Sequence, residues 1–379
     1  MYNNTELLKC TRLKDLKNCI IQKAVLEFCI MKRLKILIIR LSAIGDTIHT
    51  LPLAAALREQ YPDAQIDWLV EDKAAQFVLN NPLLNNVFVV PKKEWKRRGI
   101  SLKNIDDFNK IISKLQKQHY DIAIDVQQLF KSGIFLKLSN AKRKIALSGG
   151  REFSGFFANE IVTAKHKLFD KDYHVVNRNL ELAQYLGCES PQVKFVLPRP
   201  ECAVEISVDK LLRPLKKMPT IVIAPATTWE TKHWNNKYWT DLIKAFQNRA
   251  NIVITATSAD AELIDDILFD CERTNIHNLT GKTNLLELAE VFRRADVVIA
   301  PDSGSAQIAW ACEKPYVISI FTATSANRTA PFGENAMSFS AEVDCYPCHK
   351  KQCFSKNFEL CKNKIDYYEI INVLDNLFK

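Results

Sequence analysis

The sequence predicts an α/β protein made of two Rossmann-like domains facing a central cleft. Three observations carry this. Short apolar runs alternate with helical patterns from residue 34 to about residue 150. The pattern then breaks at a proline cluster, Pro191, Pro198, Pro200, Pro214 and Pro219. Beyond it the alternation restarts and continues to about residue 320. Strands that alternate with helical segments signal βα units on a parallel sheet, and a proline-rich break between two such arrays reads as a linker. A chain of 379 residues can hold two domains of ordinary size.

In chain order, residues 1–30 read as an extension dispensable for chemistry. Leu13, Leu16, Ile20, Ala24 and Phe28 fall at helical spacing, as an amphipathic helix on a membrane or on the domain would require. Met31-Lys32-Arg33-Leu34-Lys35, directly before the first strand, reads as a natural chain start. Residues 31–190 form the first domain, with strands at Ile36–Ile39, Ile66–Val70, Val87–Val90, Ile122–Asp125 and Lys144–Leu147. Helical segments fall near 51–60, 72–80, 104–118 and 128–139. Residues 191–218 are the linker. The second domain, 219–365, has strands at Thr220–Ala224, Ile252–Ala256, Ile276–Leu279, Val297–Ala300 and Val317–Ile320. Its helices lie near 235–248, 259–270, 284–294 and 304–313, and it includes a cysteine-rich segment at 345–361. A last helix, within 366–379, is expected to pack back across the first domain.

Composition narrows the function class. Hydrophobic residues make up 47% and charged residues 25% of the chain, as in globular proteins. The net charge of +9 favours an anionic partner. The first 30 residues lack the clean apolar core of a secretory signal. No apolar run approaches the roughly 18–20 residues of a membrane span. The expected location is the cytoplasm, with the eleven cysteines reduced and basic charge permitting peripheral association with an anionic inner-membrane surface. No nucleic-acid-binding motif is apparent, so nucleic acid is not an expected partner.

Chemistry is expected at the carboxyl ends of the strands. Arg40-Leu41-Ser42-Ala43-Ile44-Gly45-Asp46 follows the first strand and delivers one acid, Asp46. It lacks a dinucleotide fingerprint and a Walker lysine. Asp46 suits either a general base or a helix N-cap. After the first strand of the second array come Thr227, Thr228 and Lys232, two hydroxyls and an ammonium suited to phosphate oxygens. Pro301-Asp302-Ser303-Gly304-Ser305 follows another strand and opens a helix, whose N–H groups suit an anion. Basic residues gather at 92–98 around Trp95, and Lys131, Lys142, Arg143, Lys144 and Arg151 follow a further strand end. Cys345, Cys348, Cys353 and Cys361, with His349 among them, suggest a structural Zn or Fe knot, although the spacing is not a regular zinc pattern.

Together, R-L-S-A-I-G-D-T-I-H-T-L-P at 40–52, Y-D-I-A-I-D-V-Q at 120–127, T-T-W-E-T-K-H-W at 227–234 and P-D-S-G-S-A-Q at 301–307 resemble glycosyltransferase family 9, the ADP-heptose:lipopolysaccharide heptosyltransferases. The likeness runs over nearly the whole chain from about Met31 and is greatest to the heptosyltransferase I branch. It implies a GT-B fold and inverting, metal-independent transfer of heptose from ADP-heptose to the Kdo–lipid A inner core of lipopolysaccharide. It implies Asp46 as general base and Lys232 as the group that stabilises the departing diphosphate. It further implies donor contacts from Thr227, Thr228, Glu262, Asp302, Ser303, Gly304 and Gln307, and acceptor contacts from Ser42, Lys131, Arg143 and Arg151. Two departures stand out. Gln307 occupies a position that is commonly His in the family, and the cysteine cluster is not part of the minimal enzyme. They leave open a different acceptor, a protein or another glycan; an idle nucleotide-sugar-binding scaffold is the remaining alternative.

Overall fold

The computed structural model describes residues 33–168, 170–355 and 358–379; the expectations for residues 1–30 lie outside the described residues. The first array opens with β1 (Lys35–Ile39), whose last four residues are buried. It continues through α1 (Ile44–Ile48), α2 (Leu51–Gln60), β2 (Gln65–Glu71), β3 (Asn86–Val90), α3 (Lys92–Arg98), α4 (Leu102–Gln116), β4 (Ile122–Asp125), α5 (Phe130–Leu138), β5 (Arg143–Leu147), β6 (Glu160–Val162) and α6 (Val175–Tyr185). The near-continuous apolar character of β1 and β4 is what a parallel strand covered on both faces requires. α4 starts where Ser101 Oγ accepts the Asn104 N–H and buries Ile111, Ile112 and Leu115.

α7 (Cys202–Leu212) leads to the second array: β7 (Thr220–Ile223), α8 (Asn236–Phe246), β8 (Asn251–Ile254), α9 (Ala261–Leu268), β9 (Ile276–Asn278), α10 (Leu285–Arg293), β10 (Val297–Pro301), α11 (Gly304–Ala311), β11 (Tyr316–Phe321), α12 (Ala326–Thr329), β12 (Ala336–Ser340) and α13 (Tyr367–Leu377).

Both sheets are six-stranded and parallel. Their orders are β3-β2-β1-β4-β5-β6 and β12-β11-β10-β7-β8-β9, which is one topology used twice. In each, the strand order reverses beside the first strand, between β1 and β4 and between β7 and β10. A crevice opens at that point outside the carboxyl ends of the strands. The register puts Ile39 level with Asp125 and Ile299 level with Ile223, so the four loops that follow these strands leave their sheets at matching heights. The two-Rossmann, GT-B architecture expected from the sequence is the one observed.

One apolar cluster runs through both domains, from Ile38 and Leu53 through Phe195 and Trp310 to Val298. The domains therefore meet over a buried contact beneath the cleft.

Several expectations are corrected. The presumed linker contains α7, with Val208 buried; the prolines punctuate its flanks rather than its interior. β6 is only three residues long, and β12 has no fully buried residue, so neither carries the apolar signal of a central strand. The segment near 72–80 forms a 3-10 turn, Asp72–Phe77. α13 packs on the second domain, where Ile370 and Leu374 join Trp239, Ile243 and Phe246 in a separate core.

Candidate active site

Asp46 lies in the first turn of α1, on the loop that leaves β1. Its Oδ1 meets Arg40 Nη2 at 2.8 Å and its Oδ2 accepts the Ala43 N–H at 3.1 Å. It therefore does close back on the backbone at the start of its helix, as a cap does, while 44% of its side chain stays open to the cleft. Burial by itself would raise this carboxyl. The Arg40 guanidinium, His49 and the Ala43 N–H outweigh that and hold it below the ordinary carboxylate value. Arg40 is itself fixed, donating Nη1 to Val126 O at 2.9 Å.

The loop after β4 braces the loop after β1. Buried Asp125 accepts the N–H groups of Gln127 and Gln128 at 3.0 Å each and Ser132 Oγ–H at 3.0 Å. Burial pushes its carboxyl up to about 6. Gln127 Oε1 in turn accepts the Leu41 and Ser42 N–H groups. Lys131 donates to Ser42 Oγ at 3.0 Å and to Glu71 at 2.6 Å. Glu71, 7% exposed at the side chain, also takes Lys92 at 3.0 Å. Two ammoniums share one carboxylate, leaving local positive charge beside Ser42. Burial, with Lys92 opposing a second charge, pulls the Lys131 amine below its usual value.

Across the cleft, Lys232 Nζ contacts Asp302 Oδ2 at 2.6 Å, with both side chains largely buried. The same oxygen accepts Thr324 Oγ–H at 2.5 Å. Lys232 also sits 4.7 Å from the Trp229 ring centre, and Thr227 Oγ–H points at Asp302 O from 3.5 Å. Ser303 occupies the N-cap of α11 without using its hydroxyl as a cap. Its Oγ is buried and has no hydrogen-bond partner, as are Thr255 Oγ1 and Thr280 Oγ1. All three hydroxyls follow strands of the second sheet, β10, β8 and β9 respectively. Buried hydroxyls left unpaired are costly, and such groups at a sheet's carboxyl edge are positioned to bind a polar ligand.

The two sides touch. A Cβ added to Gly304 would lie 3.6 Å from Ile44, and one added to Gly45 would lie 3.2 Å from Gln307. The second approach is tight, so Gly45 favours the close packing of α1 on α11, whereas the first is an ordinary contact. Gln307 is buried; its Oε1 accepts the His49 Nε2–H at 2.8 Å and its Nε2–H donates to Thr329 O at 2.8 Å. Burial lowers the His49 imidazole despite the Asp46 charge beside it. His174 Nδ1 accepts the Val176 N–H, so its Nε2–H donates to Ala330 O at 3.1 Å across the domain boundary. Burial pushes this imidazole down to about 3. Arg328 of α12 lies near enough to feel the Asp46 charge and donates to Leu168 O at 2.7 Å.

Of the expected residues, Asp46, Ser42, Lys131, Thr227, Thr228, Lys232, Asp302, Ser303 and Gly304 lie on loops or helix starts at the facing sheet edges. Arg151 follows β5 at the same edge. Glu262 is exposed in the first turn of α9, after β8. Arg143 does not join them. It starts β5, level with Ile122 at the opposite edge of the sheet, and is held bidentately by Glu160 at 2.8 Å. Gln307, expected at the donor, has both ends of its amide engaged at the domain boundary. Arg40, Gln127, Glu71, Thr255, Thr280 and Arg328 were not singled out by sequence. The cysteine segment is also corrected. Cys345, Cys348, Cys353 and Cys361 are free thiols, close enough that, after burial, the other three help to raise Cys361. Yet among the described residues no three His, Cys, Asp or Glu side chains are grouped to hold a metal ion. Nor is any helix among them long and apolar enough to cross a membrane.

Comparison with known proteins agrees with this geometry. Residues 108–359 match the model of glycosyltransferase family 9 (heptosyltransferase). Lipopolysaccharide heptosyltransferase 1 of Pseudomonas aeruginosa is 26% identical over 329 residues, covering 84% of this chain and 87% of that protein. Lipopolysaccharide heptosyltransferase 3 of Escherichia coli K12 is 28% identical over 310 residues, covering 78% and 85%. Among solved structures, E. coli heptosyltransferase WaaC with ADP superposes with a TM-score of 0.70 at 21% identity, over 91% of this chain and all of that one. With two like sheets opposed at their switch points and two-thirds of its length matched by the family model, the chain belongs to glycosyltransferase family 9 and is a glycosyltransferase.

Proposed function

We propose that this protein is an inverting heptosyltransferase that moves heptose from ADP-heptose to the Kdo–lipid A inner core of lipopolysaccharide. The observation that carries the reading is the opposition of an open carboxylate, Asp46, to a buried Lys232–Asp302 pair at the start of α11. The names of the two relatives cited above, both lipopolysaccharide heptosyltransferases, support a heptose donor and a lipopolysaccharide acceptor.

The donor lies along the second sheet's carboxyl edge. Thr255, Thr280 and Glu262 line the nucleoside side. Thr227, Thr228, Ser303 and the first N–H groups of α11 meet the diphosphate. The acceptor lies along the first sheet's edge, its negative charge met by Lys131, Lys92 and Arg151. An acceptor hydroxyl attacks the anomeric carbon from the face opposite the diphosphate. As the new O–C bond forms, the C–O bond to the diphosphate breaks and ADP departs. The hydroxyl proton passes to Asp46, whose lone pairs facing the cleft are not used by Arg40 or Ala43. Arg40 keeps that carboxylate ionised and ready. Charge grows on the leaving diphosphate during the step, and Lys232 with the α11 N–H groups is positioned where it grows. Such preorganised groups stabilise the transition state more than the ground state.

The test is a donor screen with Kdo2–lipid A as acceptor and mass detection of product. A mass increase of one heptose with ADP-heptose, and none with other nucleotide sugars, is expected. Transfer to protein but not to Kdo2–lipid A would reassign the acceptor; no transfer from any donor would overturn the reading.

A further inference from the structure

The transfer chemistry makes no use of the exposed apolar side chains at the carboxyl edge of the first sheet, although some of the cations beside them also face the acceptor. Where α3 hands over to α4, Ile100 is fully exposed and Leu102 is 85% exposed, with Ile105 beside them. Where β5 hands over to a 3-10 turn, Ser154–Phe157, the rings of Phe153 and Phe156 are 76% and 80% exposed, and Phe130 at the start of α5 is half exposed.

These two groups share a layer. α4 and α5 lie on the same side of the sheet, joined by Phe108 and Phe135 at 5.4 Å, and both begin at its carboxyl edge. The 3-10 turn is pinned to α5. Phe157 stacks edge-on to Phe130 at 5.5 Å, and a Cβ on Gly133 would fall 2.2 Å from the Phe157 ring, so only glycine admits that ring. With Phe157 held inward, Phe153 and Phe156 stand outward, 6.1 Å apart. Glu152 and Phe153 both adopt left-handed backbone, φ +53° and +57°, a conformation that is unusual for a bulky side chain. The exposed aromatics are therefore held out by a built turn.

Cations border both groups. Residues 92–103 contain six Lys or Arg against one Glu, with Lys93, Lys96, Arg97 and Lys103 exposed. Arg151 and Lys131 flank the aromatic turn. Separate apolar projections bordered by an excess of positive over negative charge fit the headgroup–acyl boundary of an anionic bilayer better than they fit a protein groove. The face also opens on the same sheet edge as Asp46.

We propose that this face, Ile100, Leu102, Ile105, Phe130, Phe153 and Phe156 with its bordering lysines and arginines, docks the enzyme on an anionic phospholipid surface. This deepens the proposed function, and rests on it for the lipid-borne acceptor alone. Docking would let an acceptor reach Asp46 while its acyl chains stay in the bilayer.

The experiment is co-sedimentation of the full chain with phosphatidylcholine vesicles, with or without phosphatidylglycerol. Three proteins are compared: the parent chain, Phe153→Ser/Phe156→Ser and Ile100→Ser/Leu102→Ser. The parent chain is expected to bind the anionic vesicles and to bind neutral ones less. Each double variant is expected to lose about tenfold in partitioning, while keeping its thermal melting and its transfer to a deacylated, soluble acceptor. Equal binding by parent and both variants, or no preference for anionic vesicles, would overturn the proposal. So would a dimer of the parent chain that the variants abolish without any vesicle binding, since that assigns the face to a second copy. Vesicle binding is read without transfer, so a failed donor screen with docking intact would strike the acceptor assignment and leave the surface standing.

Discussion

Each side of the cleft carries one acid held by one cation, and the two pairs differ in how open they are. In the first domain the cation is hidden and the acid is open: Arg40 is 9% exposed and Asp46 44%. In the second domain both partners are enclosed, Lys232 at 16% and Asp302 at 10%. An open carboxylate with a fixed guanidinium behind it can receive a proton from a substrate. An enclosed ammonium shared with one carboxylate can be drawn to a diphosphate that arrives with more charge than Asp302 offers. On the proposed function, the same ionic motif on the same topology serves as a proton acceptor on one sheet and an anion receiver on the other. The difference lies in whether the acid is open, as Asp46 is, or enclosed, as Asp302 is.

The sharpest way to break this contrast is Asp46→Ala. Loss of a general base is expected to lower kcat by about 10²–10⁴-fold, measured as single-turnover transfer. Next, Lys232→Ala is expected to lower kcat by about 10²–10³-fold and also to weaken ADP, because its charge acts on the diphosphate both before and during departure. Third, Arg40→Gln removes the charge that keeps Asp46 ionised. The acid limb of the kcat/KM pH profile should move to higher pH by about one unit or more, while the maximum at high pH changes less. Substitution of Lys232 should leave that limb where it is.

The smallest effect concerns the boundary that brings the two pairs together. His174 holds an imidazole pushed down to about 3, and His49 is also lowered. When the chain unfolds, both regain an ordinary value near 6.5. The unfolded chain then binds more protons between those values, so stability is present above about pH 6.5 and is lost as pH falls toward 3. Thermal melting should show this slope. His174→Asn, which keeps a capping side chain, should flatten it and change Tm by roughly 2–4 °C per kcal/mol of effect.

The contrast also explains what the sequence could and could not disclose. Asp46, Thr227, Lys232 and Asp302 follow apolar runs in loops marked by Gly, Pro or Thr, so local pattern put them at strand ends. The two βα arrays were legible for the same reason; the strand order they share, and the outer strands β6 and β12, were not. What assembles around those residues was not. Lys131 and Glu71 meet through the side-by-side placement of two sheet loops 60 positions apart. Arg328 comes within range of the Asp46 charge only across the boundary between the domains. Arg143 was misplaced because proximity in sequence to a strand does not say which end of it faces the cleft: β5 begins, rather than ends, at Arg143. Thr255 and Thr280 are recognised only by hydroxyls buried without partners, a property of packing. The cysteine spacing suggested a metal knot, but gathering four thiols in one segment is not the same as aiming three at one point.

The most direct test of the division between the two sides is ADP affinity by titration calorimetry in Asp46→Ala and Lys232→Ala, alongside the parent chain. ADP binding unchanged by Asp46→Ala and clearly weakened by Lys232→Ala is the predicted result. Equal weakening by both, or weakening by Asp46→Ala alone, would contradict the assignment of proton acceptor and leaving-group site to opposite sheets.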